Sequence, residues 1–340
     1  MDPQGILSQR KGTVMVAEHA AWSGFVGGDW KDEINVRDFI QKNYHEYTGD
    51  DSFLEGATER TRDLYEKVSA LFAEERAHGG VLDIDTETVS SLTTYAPGYI
   101  DRERELIFGM QTDAPLRRGV NPFGGIRMAR QACEAYGRRL SDKIEDEFRY
   151  KTTHNDGVFR AYTAEMRAAR HAHLITGLPD AYGRGRIIGD YRRVALYGID
   201  RITAEKKRDR AALASRVFDE ATIRLSEELS RQIEFLGKMK EMANLYGFDI
   251  REPAHDAREA IQWTYFGYLA AIKTQNGAAM SIGRISTFLD IYIARDLKRG
   301  ILTETDAQEL IDHLVLKFRM VKFARIPEYN QLFSGDPVWA

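Results

Sequence analysis

The densest group of chemically capable side chains runs from Gly177 to Arg193, as Gly-Leu-Pro-Asp-Ala-Tyr-Gly-Arg-Gly-Arg-Ile-Ile-Gly-Asp-Tyr-Arg-Arg. Three glycines and four arginines fall between Gly183 and Arg193, beside Asp180 and Asp190. Glycine lets a backbone approach a ligand closely, and arginine offers a planar fork matched to a carboxylate or phosphate. Gly183, Gly185 and Gly189 are spaced one residue too long for the dinucleotide fingerprint, and no strand–turn–helix pattern flanks them. The pattern leaves two readings open: an anion-binding loop, or structural Arg–Asp pairing, the second weighing more. Asn121-Pro-Phe-Gly-Gly-Ile-Arg127 sets a diglycine turn beside one cation and reads as a plain turn. Gln275-Asn-Gly-Ala-Ala-Met-Ser281 is a run of small residues, suited to close packing before pocket lining.

Other candidates are weaker. Cys133 is the single cysteine, in a helical context without an activating histidine, so it reads as a small buried hydrophobe. It can form neither an internal disulfide nor a cysteine metal cage. His171 and His173 form an isolated H-x-H, short of the ligands a zinc site needs. No metal motif, P-loop or Ser-His-Asp arrangement is readable, and pattern alone leaves the chemistry unnamed.

Helices must position these groups. Thr58 to Glu75 places Leu64, Val68 and Leu71 on one face. A long helix is expected from about Lys207 to Tyr246, with Phe218, Ala221, Leu225, Leu229, Ile233, Leu236, Met239, Ala243 and Tyr246 as its stripe. Asp256 with Glu259 opens a helix through Ile272 carrying Ile261, Trp263, Phe266 and Leu269, and Thr303 with Asp306 opens another with Leu310, Leu314, Phe318 and Val321 inside. Short apolar runs at Val81–Ile84, Leu174–Thr176, Val194–Tyr197 and Ala278–Ile282 are strand candidates. Helices alternating with strands imply an α/β layer or barrel.

The 340 residues are 43% hydrophobic and 29% charged, a globular composition with a full core. A formal charge of -4 without charge blocks argues against nucleic acid as a partner. The N-terminus lacks a signal-peptide core and no apolar stretch reaches membrane-spanning length, so the expected localisation is cytoplasmic, with no membrane partner. Residues 1–14 are polar and unpatterned and read as a disordered or mis-assigned extension, with Met15 as an alternative start and 15–340 as one domain. The end, Phe333-Ser-Gly-Asp-Pro-Val-Trp-Ala340, is turn chemistry and looks interrupted.

Longer stretches carry a resemblance. Gly28-Asp-Trp30 with Ile34-Asn-Val-Arg-Asp-Phe-Ile-Gln-Lys-Asn-Tyr44, Asn121 to Ile126, Thr176 to Asp200, Glu259 to Ala271 and Phe333 to Trp339 resemble the pyruvate formate-lyase family of glycyl-radical enzymes. The resemblance covers nearly everything from about Ala20 to Ala340. It implies an α/β fold: the N-terminal half of a ten-stranded β/α barrel, rich in helix. It implies formate C-acetyltransferase activity, pyruvate with coenzyme A giving acetyl-CoA and formate in anaerobic glucose fermentation. By the same resemblance Arg186 pairs the pyruvate carboxylate and Phe333 and Trp339 shape the pyruvate pocket. Phe159 and Arg170 match the CoA surface, and Tyr95 stands where relatives can carry histidine. No metal and no bound cofactor are implied.

The family's adjacent cysteine pair, second carboxylate-binding arginine and radical-bearing glycine match nothing in this sequence. The expectation is therefore no catalytic residue here, no activity for the chain alone, and a missing C-terminal half as partner. A radical-SAM activating enzyme and a homodimer of the completed protein are further implied partners. Alternatives are a non-catalytic fragment or complementation subunit, or a relative acting on 2-ketobutyrate.

Overall fold

The computed structural model describes residues 54–123, 125–149, 162–175, 189–275 and 282–327, together with Asn35. The chain divides into two units, Met1–Tyr47 and Thr48–Ala340, and every element below belongs to the second. In chain order these are α1 (Glu59–Ala77), β1 (Asp83–Val89), β2 (Arg117–Val120), α2 (Ile126–Ala135), α3 (Asp142–Phe148), α4 (Ala164–His171), α5 (Arg192–Ala212), α6 (Glu220–Leu245), α7 (Ala257–Thr274), α8 (Ile285–Lys298) and α9 (Glu304–Arg319).

Local chemistry explains most helix starts. The side chains of Thr58, Ser141, Thr163, Asp219, Asp256 and Thr303 each accept a backbone N–H of the following turn. Thr303 and Asp306 form a complete capping box, as expected. The Asp256 start also holds, but the Glu259 carboxylate reaches back to the His255 N–H at 2.8 Å. Leu64, Val68 and Phe72 of α1 pack with Met110, Leu116, Leu316 and Met320 in one core cluster.

α7 is central. Thirteen of its eighteen residues are buried, so it is covered on all sides rather than along one stripe. Trp263 and Phe266 meet Phe248 at 6.0 and 5.6 Å between ring centroids, in edge-to-face geometry.

β1 and β2 pair in parallel, with Asp83 opposite Arg117 and Ile84 opposite Arg118, and a register shift before Val89 meets Val120. They are the only strands among the described residues. Parallel strands are usually joined through a crossover helix. Here the 27 residues from Ser90 to Leu116 contain no helix or strand. That segment, the strap below, packs its buried residues against α7, α9 and the end of α6, while Thr94, Ala96, Arg102, Glu103 and Asp113 are exposed.

Several sequence expectations are corrected. The single helix from Lys207 to Tyr246 is two: α5 ends at Ala212, a short 3-10 turn spans Leu213–Ser215, and Asp219 caps α6. Phe218, placed at the head of the stripe, lies in this break and is 86% exposed. Of that stripe only Leu229 and Ala243 are buried, so α6 lies across the surface more lightly than its periodicity implied. Val194–Tyr197 is helical, because a fully buried helix start and a buried strand present the same continuous apolar run. Leu174 and Ile175 are exposed bends, and the strand near Val81 starts two residues later and runs through polar residues to Val89. Of Ala278–Ile282 only Ile282 is described, outside any strand.

α5 carries a kink at Gly198, whose φ is +67°. A Cβ there would lie 2.1 Å from the Arg251 carbonyl oxygen. The kink lets Ile199 and Asp200 donate to the carbonyls of Ile250 and Arg251. Gly198→Ala is expected to destabilise by about 3 kcal/mol through backbone strain and collision. Gly237→Ala in α6, where a Cβ meets nothing within 4 Å, is expected to stabilise by up to about 1 kcal/mol. Urea unfolding of both variants checks this, and equal effects would contradict it.

Candidate functional site

Of the residues singled out in the sequence, Arg186, Phe333, Trp339 and Phe159 lie outside the described residues. Arg170 and Tyr95 are described, on separate elements. Arg170 sits in the last turn of α4, partly exposed, with its guanidinium 5.9 Å from the Tyr162 ring centroid. Tyr95 lies in the strap and is 7% exposed. The stem of the arginine-rich loop is also described. Arg192 donates to Asp190 at 2.6 Å, and Tyr191 packs edge-on against Tyr268 of α7 at 5.7 Å. Gly267 admits that contact, since a Cβ there would come within 3.3 Å of Tyr191.

Tyr95 stands beside the most unusual charge in the molecule. Lys273, in the last turn of α7, is 2% exposed. Its Nζ donates to the Gln111 carbonyl at 3.1 Å and the Met110 carbonyl at 3.4 Å, and lies 5.5 Å from the Tyr95 ring centroid. Among the described residues no carboxylate pairs with it. Burial pushes the Lys273 ammonium down to about 8, with Asp113 acting weakly the other way. Arg117 approaches the same ring at 6.0 Å and pairs with Asp83, Asp85 and Asp113. Burial, and then Asp85, hold the Tyr95 phenol far above the ordinary tyrosine range, so it is neutral.

The end of α7 is closed by the same neighbourhood. Asn121 Nδ2 donates to the Ile272 and Lys273 carbonyls, both at 3.1 Å, and the Phe123 N–H donates to Thr274 at 3.0 Å. These are carbonyls a helix end leaves without partners of its own. Asn121-Pro-Phe thereby meets the end of α7, from which the Gln275 motif departs.

Further along the strap, buried side chains serve as backbone partners. Gln262 accepts from Phe108 N–H at 2.7 Å and donates to the Phe108 carbonyl at 2.8 Å. The Tyr246 hydroxyl accepts from Gly98 and Met110, and the Tyr265 hydroxyl donates to Gly109 at 3.1 Å. Gly109 has φ +128° and a Cβ there would come within 2.6 Å of Leu269, so the strap crosses α7 at van der Waals contact. His313 Nδ1 accepts from Leu106 N–H at 3.0 Å, and Lys317 pairs with Glu105 at 2.7 Å. Glu105 in turn accepts from the Ile100 and Asp101 N–H groups.

Sequence reasoning missed Lys273, Gln262, Tyr246, His313, Lys317 and Glu105 as members of one network. A signal existed: Gln262 and Lys273 are polar residues near the start and just beyond the end of the largely apolar run from Ala260 to Ile272, and His313 and Lys317 share a face with Leu310 and Leu314. Cys133 sits where expected, buried among Val81, Ile84, Val120, Ala129, Ile144 and Phe148, and burial raises its thiol to about 11. His171 and His173 are exposed, and among the described residues no group of three or more His, Cys, Asp or Glu side chains is placed to hold a metal ion. No helix among them is long and apolar enough to cross a membrane.

Comparison with known proteins gives these features a context. The family model described as pyruvate formate lyase-like matches residues 29–340. The chain is 57% identical over 326 residues to formate acetyltransferase of Haemophilus influenzae, covering 94% of this chain and 42% of that protein. It is 58% identical to formate acetyltransferase 1 of Escherichia coli, covering 94% and 43%. The chain therefore spans less than half the length of these curated relatives. Among solved structures, the glycerol-bound B12-independent glycerol dehydratase of Clostridium butyricum matches with a TM-score of 0.58 at 19% identity, covering 84% of this chain and 42% of that one. Hydroxyproline dehydratase of Clostridioides difficile matches at 0.54 and 18%, covering 79% and 41%. At that identity the likeness shows the fold, and the helix-rich α/β class expected from the sequence stands.

Burial holds His313 down at about 4, against an ordinary 6.5, and Glu309 only partly offsets this. Between those values the unfolded chain binds a proton that the folded chain refuses, so stability falls as pH drops from 6.5 to 4. The expected loss is roughly 3 kcal/mol across that window. Unfolding free energies of wild type and His313→Gln should therefore converge on acidification, and parallel curves would contradict the assignment.

Proposed function

The chain belongs to the pyruvate formate lyase-like family, and from that premise we propose that it is the N-terminal, substrate-holding portion of a formate acetyltransferase. The observation that carries this is 57–58% identity over 94% of the chain to two curated formate acetyltransferases. In this reading pyruvate and CoA are the substrates, acetyl-CoA and formate the products, and anaerobic carbohydrate breakdown in the cytoplasm the setting.

Arg186 holds the pyruvate carboxylate through both arms of its guanidinium, which fixes orientation together with charge. Phe333 and Trp339 form apolar walls that keep water from the reacting carbons. Phe159 and Arg170 face CoA, and Tyr95, buried and neutral, stands at the position where relatives can carry histidine.

In such enzymes a glycyl radical and an adjacent thiol pair supply the bond-breaking chemistry. Cys133 does not fit that requirement, being single, buried and packed among aliphatic side chains. The contribution of these residues is therefore binding, orientation and exclusion of water. A complementation subunit, docking to a separate polypeptide that carries the C-terminal portion, is the second reading. An activating enzyme and dimerisation of the completed protein belong to either reading.

The test is co-expression with the C-terminal portion of the Escherichia coli relative, anaerobic activation, and assay of acetyl-CoA from pyruvate and, separately, 2-ketobutyrate. Acetyl-CoA is expected from the pair and not from either part. Arg186→Lys should lower kcat/KM for pyruvate by about 100-fold, a loss of about 3 kcal/mol. Arg170→Ala should raise KM for CoA and leave that for pyruvate unchanged. Normal turnover of pyruvate by the Arg186→Lys pair would overturn the assignment.

A further inference from the structure

The buried ammonium of Lys273 is tied to more chain segments than any packing role requires. It lies where three meet: the last turn of α7, the Met110–Gln111 stretch of the strap, and Tyr95. Gln111 adds side-chain links on both sides, donating to the Ile272 carbonyl at 3.5 Å and accepting from the Lys322 N–H at 2.9 Å. Asn121 and Phe123 complete the closure on the carbonyls of residues 272–274.

Burying a cation without a counter-charge is costly, and an apolar side chain of similar length would fill the same space at less cost. What an apolar side chain cannot do is donate to the Met110 and Gln111 carbonyls. Those oxygens belong to a segment with no sheet partner, so the donor must come from a side chain. The ammonium also lies at the C-terminal end of α7, where the helix dipole favours positive charge, and over an aromatic ring, where a cation is attracted.

We propose that Lys273 is a positioning residue: the hydrogen-bond donors of its amino group pin α7 to Met110–Gln111 and so fix both the departure of Asn121–Phe123 and the exit of α7 at Gln275. The inference rests on the described geometry and is independent of the formate acetyltransferase reading. Two segments that looked unconnected in the sequence, Asn121-Pro-Phe and the end of α7 at Gln275, are then held in register by the donors of one side chain.

Proton linkage follows. The groups facing Lys273 are Asp113 and Tyr95 of the strap, with Asp85 and Arg117 acting on Tyr95 from β1 and β2. In the closed joint the ammonium titrates near 8, and once the joint opens to water it returns toward 10.5. Opening therefore takes up a proton between those values, and the joint becomes harder to open as pH rises through them.

The experiment uses the full 340-residue chain with lysines carbon-labelled at the ε position. The resonance missing from Lys273→Met identifies Lys273, and in wild type it should titrate with a midpoint near 8, where exposed lysines titrate above 10. In Lys273→Met the amides of Met110 and Phe123 should lose at least tenfold in exchange protection, while amides in the middle of α1 keep theirs. In wild type, protection of those two amides, corrected for intrinsic exchange, should rise by up to about tenfold per pH unit above 8, and this rise should vanish in the variant. The wild-type titration and pH profile stand even if the variant fails to fold. A lysine midpoint like that of an exposed side chain, a flat wild-type profile, or a loss of protection spread evenly over the chain would each overturn the proposal.

Discussion

A backbone that crosses a protein interior outside any helix or sheet must find a partner for every N–H and C=O, and the strap from Ser90 to Leu116 imposes that demand on the rest of this molecule. Water cannot serve its buried groups, and a strap of 27 residues is about twice the length at which irregular connections become uncommon. The solution is a set of buried polar side chains on flanking helices. Gln262 and Tyr265 of α7, Tyr246 just after α6, and His313 and Lys317 of α9 each hold strap groups by hydrogen bonds or ion pairing. Removing one such partner leaves a buried group unsatisfied, which costs more than the bond itself gains. The burial of Gln262, Lys273, His313 and Lys317 follows from that requirement.

The same demand explains the charged interior. Arg118 of β2 is 1% exposed, pairs with Glu75 of α1 at 2.5 Å and donates to the carbonyls of Leu116, Gly80 and Phe323. It joins the first helix, the strand pair and the segment after α9 at one point, as Lys317 with Glu105 joins α9 to the strap. Buried ion pairs of this kind add little net stability over apolar packing, but losing one partner is strongly destabilising. They fix which segment lies where.

Much of this was legible in the sequence, and the limits have physical causes. Helix starts at Thr58, Asp256 and Thr303 could be read because capping is local chemistry within a single turn. The burial of Cys133 followed from its setting. The break after Ala212 was hidden because apolar spacing continues through Phe218, which the fold leaves exposed. Val194–Tyr197 misled because this buried stretch of α5 shows no polar residue to reveal its period. The strap network was illegible for a different reason: its partners stand 154 to 212 residues apart in the bonds Gln262 makes to Phe108 and Lys317 to Glu105. Long-range pairing of this kind leaves no mark on local periodicity. The arginine loop was visible as a dense cluster, and its pattern left anion binding and structural Arg–Asp pairing both open; the carboxylate assignment of Arg186 is a proposal that rests on resemblance to a family.

The most direct measurement is native-state hydrogen exchange on the full chain, read at the amides of Leu106, Phe108 and Met110. Each has as its acceptor a side chain, on His313, Gln262 and Tyr246 in turn. If buried side chains serve the strap as a sheet would, these three amides exchange only through large-scale opening, with protection close to that of the α7 core. Exchange at the rate of an exposed loop, with α7 still protected, would contradict the central role given to these side chains.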